Sequence, residues 1–135
     1  LDELQASLLR IQLAELPRWT EERRQLALRY HKLLKPFVQV PEEGKGEYHV
    51  YQTYVIQAER RDELLAYLRE NEVEALVHYP TPIHMQPAAR DLHYKPEDFP
   101  VTLALSKKIM SLPLYPGLTH EQQDYVASLI GKFYN

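Results

Sequence analysis

Two leucine-rich stripes open the chain. Leu1, Leu4, Leu8 and Ile11 form one, and Leu9, Leu13 and Leu16 form the other. Both keep the three-and-four spacing of an α-helix, and together they cover most of its circumference. A helix apolar on two sides has two surfaces to bury. Either one packs on the chain's own core and the other on a further domain or subunit, or both lie inside one small domain as a long core helix. Pro17 suits the first turn of a new helix. A second helix is therefore predicted from there, with Trp19, Leu26, Tyr30, Leu33 and Phe37 inward and Lys35 before Pro36 at its end.

The pattern then shortens to that of strands. Phe37–Val40 lies between two prolines and reads as a strand, and EEGKGE after it reads as a turn. Tyr48–Gln57 (YHVYQTYVIQ) is rich in β-branched and aromatic residues and semi-apolar on both faces, which predicts a central strand. RRDELLAYLREN predicts a helix with Leu64, Leu65 and Leu68 inward, and Val73–Val77 a third strand. PAARDLHY predicts a helical turn, and Phe99–Met110 a helix carried by Val101, Leu105 and Ile109 until Pro113 and Pro116 break the pattern. Thr119 with Gln122 three residues later is a capping-box signature. It opens a last helix that buries Val126, Leu129, Ile130 and Phe133. This order predicts an α+β fold over residues 1–135, one domain with a short sheet of about three strands covered by helices.

The stretch densest in chemistry is EALVHYPTPIHMQ, Glu74 to Gln86. It brings His78, Tyr79, His84 and Gln86 onto a backbone stiffened by Pro80 and Pro82, just past a strand end. Two readings stand. The four side chains can donate contacts to a hydroxyl-rich or phosphate-bearing ligand. Alternatively His78 caps the strand, Tyr79 packs inward and the prolines turn the chain.

Composition narrows the chemistry. The chain has 135 residues, 44% hydrophobic and 26% charged, with a net charge of -3. That mixed balance lacks the dominant basic face a nucleic-acid partner requires. No cysteine is present, which removes disulfides, thiolate metal sites and cysteine nucleophiles. No apolar run approaches membrane-span length and no signal-peptide pattern opens the chain, so a cytoplasmic protein without membrane contact is expected. His78, His84 and His93 are spaced by six and nine, which matches no common ligand motif, and no metal site is expected. No nucleophile elbow or glycine-rich phosphate loop occurs, and the lysines most central to a helix, Lys107 and Lys108, read as surface. The start at Leu1, inside an amphipathic pattern and without methionine, reads as a fragment of something longer.

Four segments together resemble a known family: LDELQASLLRIQL, HVYQTYVIQ, VHYPTPIHMQPA and SLPLYPGLTHEQQDYV. They look like the C-terminal domain of the DegT/StrS family of pyridoxal-phosphate-dependent sugar aminotransferases. The resemblance covers essentially the whole chain. It implies the small domain of an aspartate-aminotransferase-like fold and a full-length homodimer. Such an enzyme passes an amino group from an amino acid, glutamate in the family, to a nucleotide-linked keto-sugar. It also implies that the Schiff-base lysine and the other cofactor-holding residues lie in a large domain preceding this one. No catalytic residue and no cofactor site is therefore expected here, and this chain alone is expected to be inactive. By resemblance His78, Tyr79, His84 and Gln86 face the cleft on the substrate side. Two places depart from the family's common pattern: Gln52 with Thr53, and Asn71 to Glu74, where members often carry a glycine. Two readings of other classes remain open, a free-standing module binding a partner protein through its first helix, and a non-catalytic sensor of sugar nucleotides.

Overall fold

The computed structural model describes residues 2–135, so the place of Leu1 in the first stripe lies outside it. Asp2 opens the first helix, α1, by accepting a hydrogen bond from the Gln5 amide while the Gln5 side chain accepts from the Asp2 amide. α1 then runs from Glu3 to Leu34, 32 residues and about 48 Å long at 1.5 Å per residue. The two helices expected on either side of Pro17 are thus one. Proline removes one backbone donor and crowds the preceding turn. The helix continues because Glu3–Leu16 is built of strong helix formers and the turns beyond Pro17 are held by packing.

The two halves of α1 live in different environments. Leu26, Ala27, Tyr30 and Leu34 repeat at helical spacing and are buried. Leu4, Leu8, Leu9, Ile11, Leu13 and Leu16 are all exposed, Leu4 by 71%. Both apolar sides of the first half stand outside the core, so neither packs on this chain. The expectation that one of them would is corrected.

The sheet is smaller than the pattern predicts. β1 covers Tyr54–Gln57 and pairs antiparallel with β2, Ile109–Leu112. The strand expected from Tyr48 begins only at Tyr54, because Tyr51 takes a φ of 47° that no extended strand allows. The expected strands Phe37–Val40 and Val73–Val77 each shrink to one bridging residue, Gln39 against Gln57 and Leu76 against Ser111. These bridges flank the ladder on both edges, in the order Gln39, β1, β2, Leu76. Ile109 and Met110, the first half of β2, were expected as the end of a helix. Instead α3, Pro100–Ser106, stops short and the chain reverses into the sheet.

Helices cover the ladder. α2, Arg61–Glu70, buries Leu64 and Leu68, and α4, His120–Tyr134, packs on both α1 and α2. Thr119 and Gln122 form the expected capping box. Arg61, itself buried, donates to the carbonyls of Ser106 (3.2 Å) and Ile109 (2.6 Å), which fixes where β2 enters the sheet. Gln123 donates to the Leu26 carbonyl at 2.9 Å and joins α4 to α1. The helical turn expected over PAARDLHY is a 3-10 turn at Pro87–Leu92, one of three between Ile83 and Asp98 among the described residues. Among the described residues no helix is long and apolar enough to cross a membrane.

The loop before β1 is fastened to α1 by charge. Arg24 holds both oxygens of Glu43 (2.8 and 3.1 Å), donates to the His49 carbonyl and lies over the Tyr48 ring. The Arg24 guanidinium, helped by the His49 amide, keeps the Glu43 carboxyl below the usual carboxylate range. A carboxyl depressed in the folded state contributes stability above its unfolded value and loses it as pH falls through the lower folded one. Glu43→Gln is therefore expected to flatten the fall in stability below about pH 4.5. Urea unfolding across the acid range measures this, and identical acid slopes for the two proteins would contradict it.

Candidate functional site

β2 ends against Pro113, and the chain turns through Leu114–Leu118 into α4. This turn, the first turns of α4, the Glu72–Leu76 approach and the Gln52–Thr53 bend enclose a cleft of about 710 Å³. Its floor is apolar, with Leu112, Leu114, Leu118 and Val126. Its polar groups are His78, Ser111, Tyr115, Tyr125 and Gln122, with Glu72, Glu74 and Glu121 around them.

Position follows from the elements. Ser111 is buried in the middle of β2, and its hydroxyl lies 2.9 Å from Nδ1 of His78. Leu76 and Ser111 exchange backbone hydrogen bonds of 2.7 and 3.1 Å, so the chain enters the His78 segment from a fixed point. Glu72 sits at a φ of 60° in the turn after α2, the left-handed conformation that favours glycine. This falls in the segment where the resembled family often carries one. The Glu121 carboxyl is held below the usual carboxylate range, first by its own backbone amide at the start of α4 and next by the Thr119 side chain. Among the described residues no lysine or arginine lines the cleft. The cleft by itself therefore offers hydroxyls, amides and carboxylates, with no fixed cation for a phosphate.

The four residues singled out in the sequence do not converge. His78 lines the cleft. Tyr79, joined to it by a cis peptide, turns outward and is 74% exposed. His84 stacks on Phe99 with centroids 4.7 Å apart, its Nε2 buried without a hydrogen-bond partner among the described residues. Gln86 is exposed and reaches the Thr81 carbonyl at 3.5 Å. These last three belong to an excursion between Leu76 and Ile109 that contributes nothing to the hydrophobic core cluster. Among the described residues no group of three His, Asp or Glu gathers as metal ligands.

Sequence reasoning passed over Ser111, Tyr115, Glu121 and Tyr125. Ser111 was set aside because it followed the expected helix end at Met110 in a helical or turn context without a nucleophile elbow, and the others because they belong to a proline-broken turn and a helix start. The available signal was SLPLYPG, an apolar run between a serine and two prolines.

A second hollow, about 490 Å³ and almost wholly apolar, runs along the first half of α1 between Ala6, Leu9, Leu13, Leu16 and Trp19.

The profile of the DegT/DnrJ/EryC1/StrS aminotransferase family matches residues 1–131. The chain is 43% identical to the pleiotropic regulatory protein of Geobacillus stearothermophilus, over 99% of this chain and 37% of that one. It is 31% identical to the dTDP-3-amino-3,6-dideoxy-alpha-D-galactopyranose transaminase of Aneurinibacillus thermoaerophilus, over 98% of this chain and 36% of that one. The crystal structure of S. venezuelae DesV in complex with a ketimine intermediate superposes with a TM-score of 0.96 at 31% identity, covering 100% of this chain and 37% of that one. The chain thus spans little more than a third of the length of the curated relatives it matches.

Proposed function

We propose, from the premise that this chain belongs to the DegT/DnrJ/EryC1/StrS aminotransferase family, that it is the C-terminal small domain of a longer sugar aminotransferase. The whole protein would move an amino group from an amino-acid donor, glutamate in the first instance, to a nucleotide-linked keto-sugar. The observation that carries this reading is the match over 98% of the chain to a nucleotide-sugar transaminase, at 31% identity.

The residues of this chain do not by themselves fit pyridoxal phosphate. A Schiff-base lysine must be desolvated or set beside another cation. Lys108 is paired with Glu59, and the remaining lysines are exposed. Among the described residues the cleft also holds no cation for the cofactor's phosphate. We assign the cofactor and its lysine to sequence outside this chain.

In this reading the domain supplies one wall of the active-site cleft. His78, which lines it, contacts the sugar nucleotide, while Tyr79, His84 and Gln86 act from the excursion once the rest of the enzyme closes over it. Gln52, Thr53, Glu72 and Glu74 line the same cleft at places where this chain departs from the resembled pattern, and we assign them to sugar selectivity. The phosphates would take their cations from the rest of the protein. The exposed first half of α1 would lie against the large domain or a second copy in a homodimer, which agrees with its apolar surface.

In the full-length protein, His78→Ala is expected to raise KM for the keto-sugar nucleotide about ten-fold, the loss of one hydrogen bond in a closed site, and to leave cofactor binding unchanged. Steady-state kinetics with a cofactor titration measure both, and an unchanged KM returns His78 to a packing role. A second reading, a non-catalytic sensor of sugar nucleotides, is favoured by the name of the regulatory relative. It predicts a full-length protein that binds the nucleotide sugar and shows no aminotransfer, which the same assay detects.

A further inference from the structure

We propose that Ser111 is a positioning residue that fixes His78 as the tautomer protonated at Nε2, so that the ring presents a hydrogen-bond donor to the cleft. For the ligand, an oxygen acceptor on the sugar nucleotide, the inference rests on the proposed contact between His78 and the sugar nucleotide. For the tautomer it rests on geometry alone.

Ser111 is held on both sides. It pairs with Val55 in β1 and exchanges two backbone hydrogen bonds with Leu76, two residues before His78. Only 6% of it is exposed. Its hydroxyl lies 2.9 Å from His78 Nδ1, the one hydrogen-bond partner of that oxygen among the described residues. A serine hydroxyl carries one hydrogen, and leaving it without an acceptor in a buried place costs the desolvation of that group. Were Nδ1 protonated, Oγ would accept from it and the hydroxyl hydrogen would turn elsewhere, where the described residues offer no acceptor. Were Oγ the donor, Nδ1 accepts and both groups are satisfied. A neutral imidazole has one N–H, so the proton then sits on Nε2, the nitrogen left free to face the cleft.

This assigns His78 a role of recognition. An Nε2–H pairs with a carbonyl, hydroxyl or phosphate oxygen and cannot accept a proton from the substrate. The carboxylates of Glu72, Glu74 and Glu121 lining the same cleft complement it, since they pair with the hydroxyl donors of a sugar.

Selective 15N-histidine labelling of the full-length protein tests the tautomer. The spectrum is taken at about pH 8, above the ordinary histidine range, with His78 assigned by its loss in His78→Gln. The expected spectrum has a pyridine-type Nδ1 and a pyrrole-type Nε2. Ser111→Ala is expected to shift His78 to a mixture of tautomers, and Ser111→Thr, which keeps the hydroxyl, to preserve the parent pattern. A pyrrole-type Nδ1 in the parent overturns the assignment, and so does a pattern unaltered by Ser111→Ala. Should that variant not fold, the parent spectrum still decides.

Kinetics supply the second readout. Ser111→Ala is expected to raise KM for the keto-sugar nucleotide about five-fold with kcat little changed, and to add nothing in a His78→Ala background. Equal effects in both backgrounds would show that Ser111 does not act through His78. A His78→Ala variant with unchanged KM would remove the proposed sugar contact, while the tautomer stands or falls on the spectrum.

Discussion

Glutamate in place of both Leu9 and Leu13 is expected to leave the melting temperature of the isolated 135-residue chain almost unmoved and to lower that of the full-length protein sharply. In this chain the two leucines are 50% and 65% exposed and line the apolar hollow on α1. Glutamate is nearly as good a helix former as leucine, and exposed substitutions of this kind stay within about 0.5 kcal/mol. In a protein that covers the hollow, the same change strands two carboxylates against apolar surface, at several kcal/mol each unless the contact opens. Parallel thermal melts of the two proteins, with sedimentation to follow assembly, measure the contrast. Equal small shifts in both would mean that nothing covers this face, and the assignment of α1 to an inter-domain or inter-subunit contact would fall with it.

Leu68→Ala is expected to cost about 2–5 kcal/mol in the isolated chain, the range for a large-to-small change at a fully enclosed core position. Leu68 has no exposed surface, and its carbonyl accepts from the Val73 amide at 2.9 Å. That bond shapes the turn from α2 into the cleft wall. Urea unfolding gives the loss directly, and a cost under about 1 kcal/mol would contradict the enclosure. Leu76→Ala serves as the control, since Leu76 is 41% exposed and should cost far less. Because the α2 turn carries Glu72 and Val73 into the cleft, substrate affinity in the full-length variant should weaken along with stability.

Sequence patterning read the elements that bury one clear face. α2 and α4 appear where their leucine and isoleucine spacing put them, and the Thr119 cap follows from side-chain chemistry alone. It failed where the deciding force was not periodicity. Ile109 happens to continue the helical spacing of Val101 and Leu105, yet Ile109–Leu112 is drawn into the sheet by pairing with Tyr54–Gln57, a contact far away in sequence. The strand from Tyr48 is cut by a positive φ at Tyr51, which nothing in a β-rich run announces. Pro17 marks a boundary by local rules, and the flanking helix formers override it. The site divides in the same way. His78 was legible because proline-rich loops after apolar runs collect polar groups. Ser111 was not, since its meaning depends on the chain 33 residues away that its hydroxyl meets.

The excursion between Leu76 and Ile109 gives nothing to the core cluster, and its two ends are tied together by the Leu76–Ser111 bridge. Its length is therefore nearly free in thermodynamic terms, since doubling a closed loop costs only about 0.6 kcal/mol of closure entropy. A lineage could lengthen, shorten or exchange this segment while β1, β2, α1, α2 and α4 went on folding as before. The fold thereby separates the part that must be kept from the part that can be rewritten, and it puts His84 and Gln86 in the second.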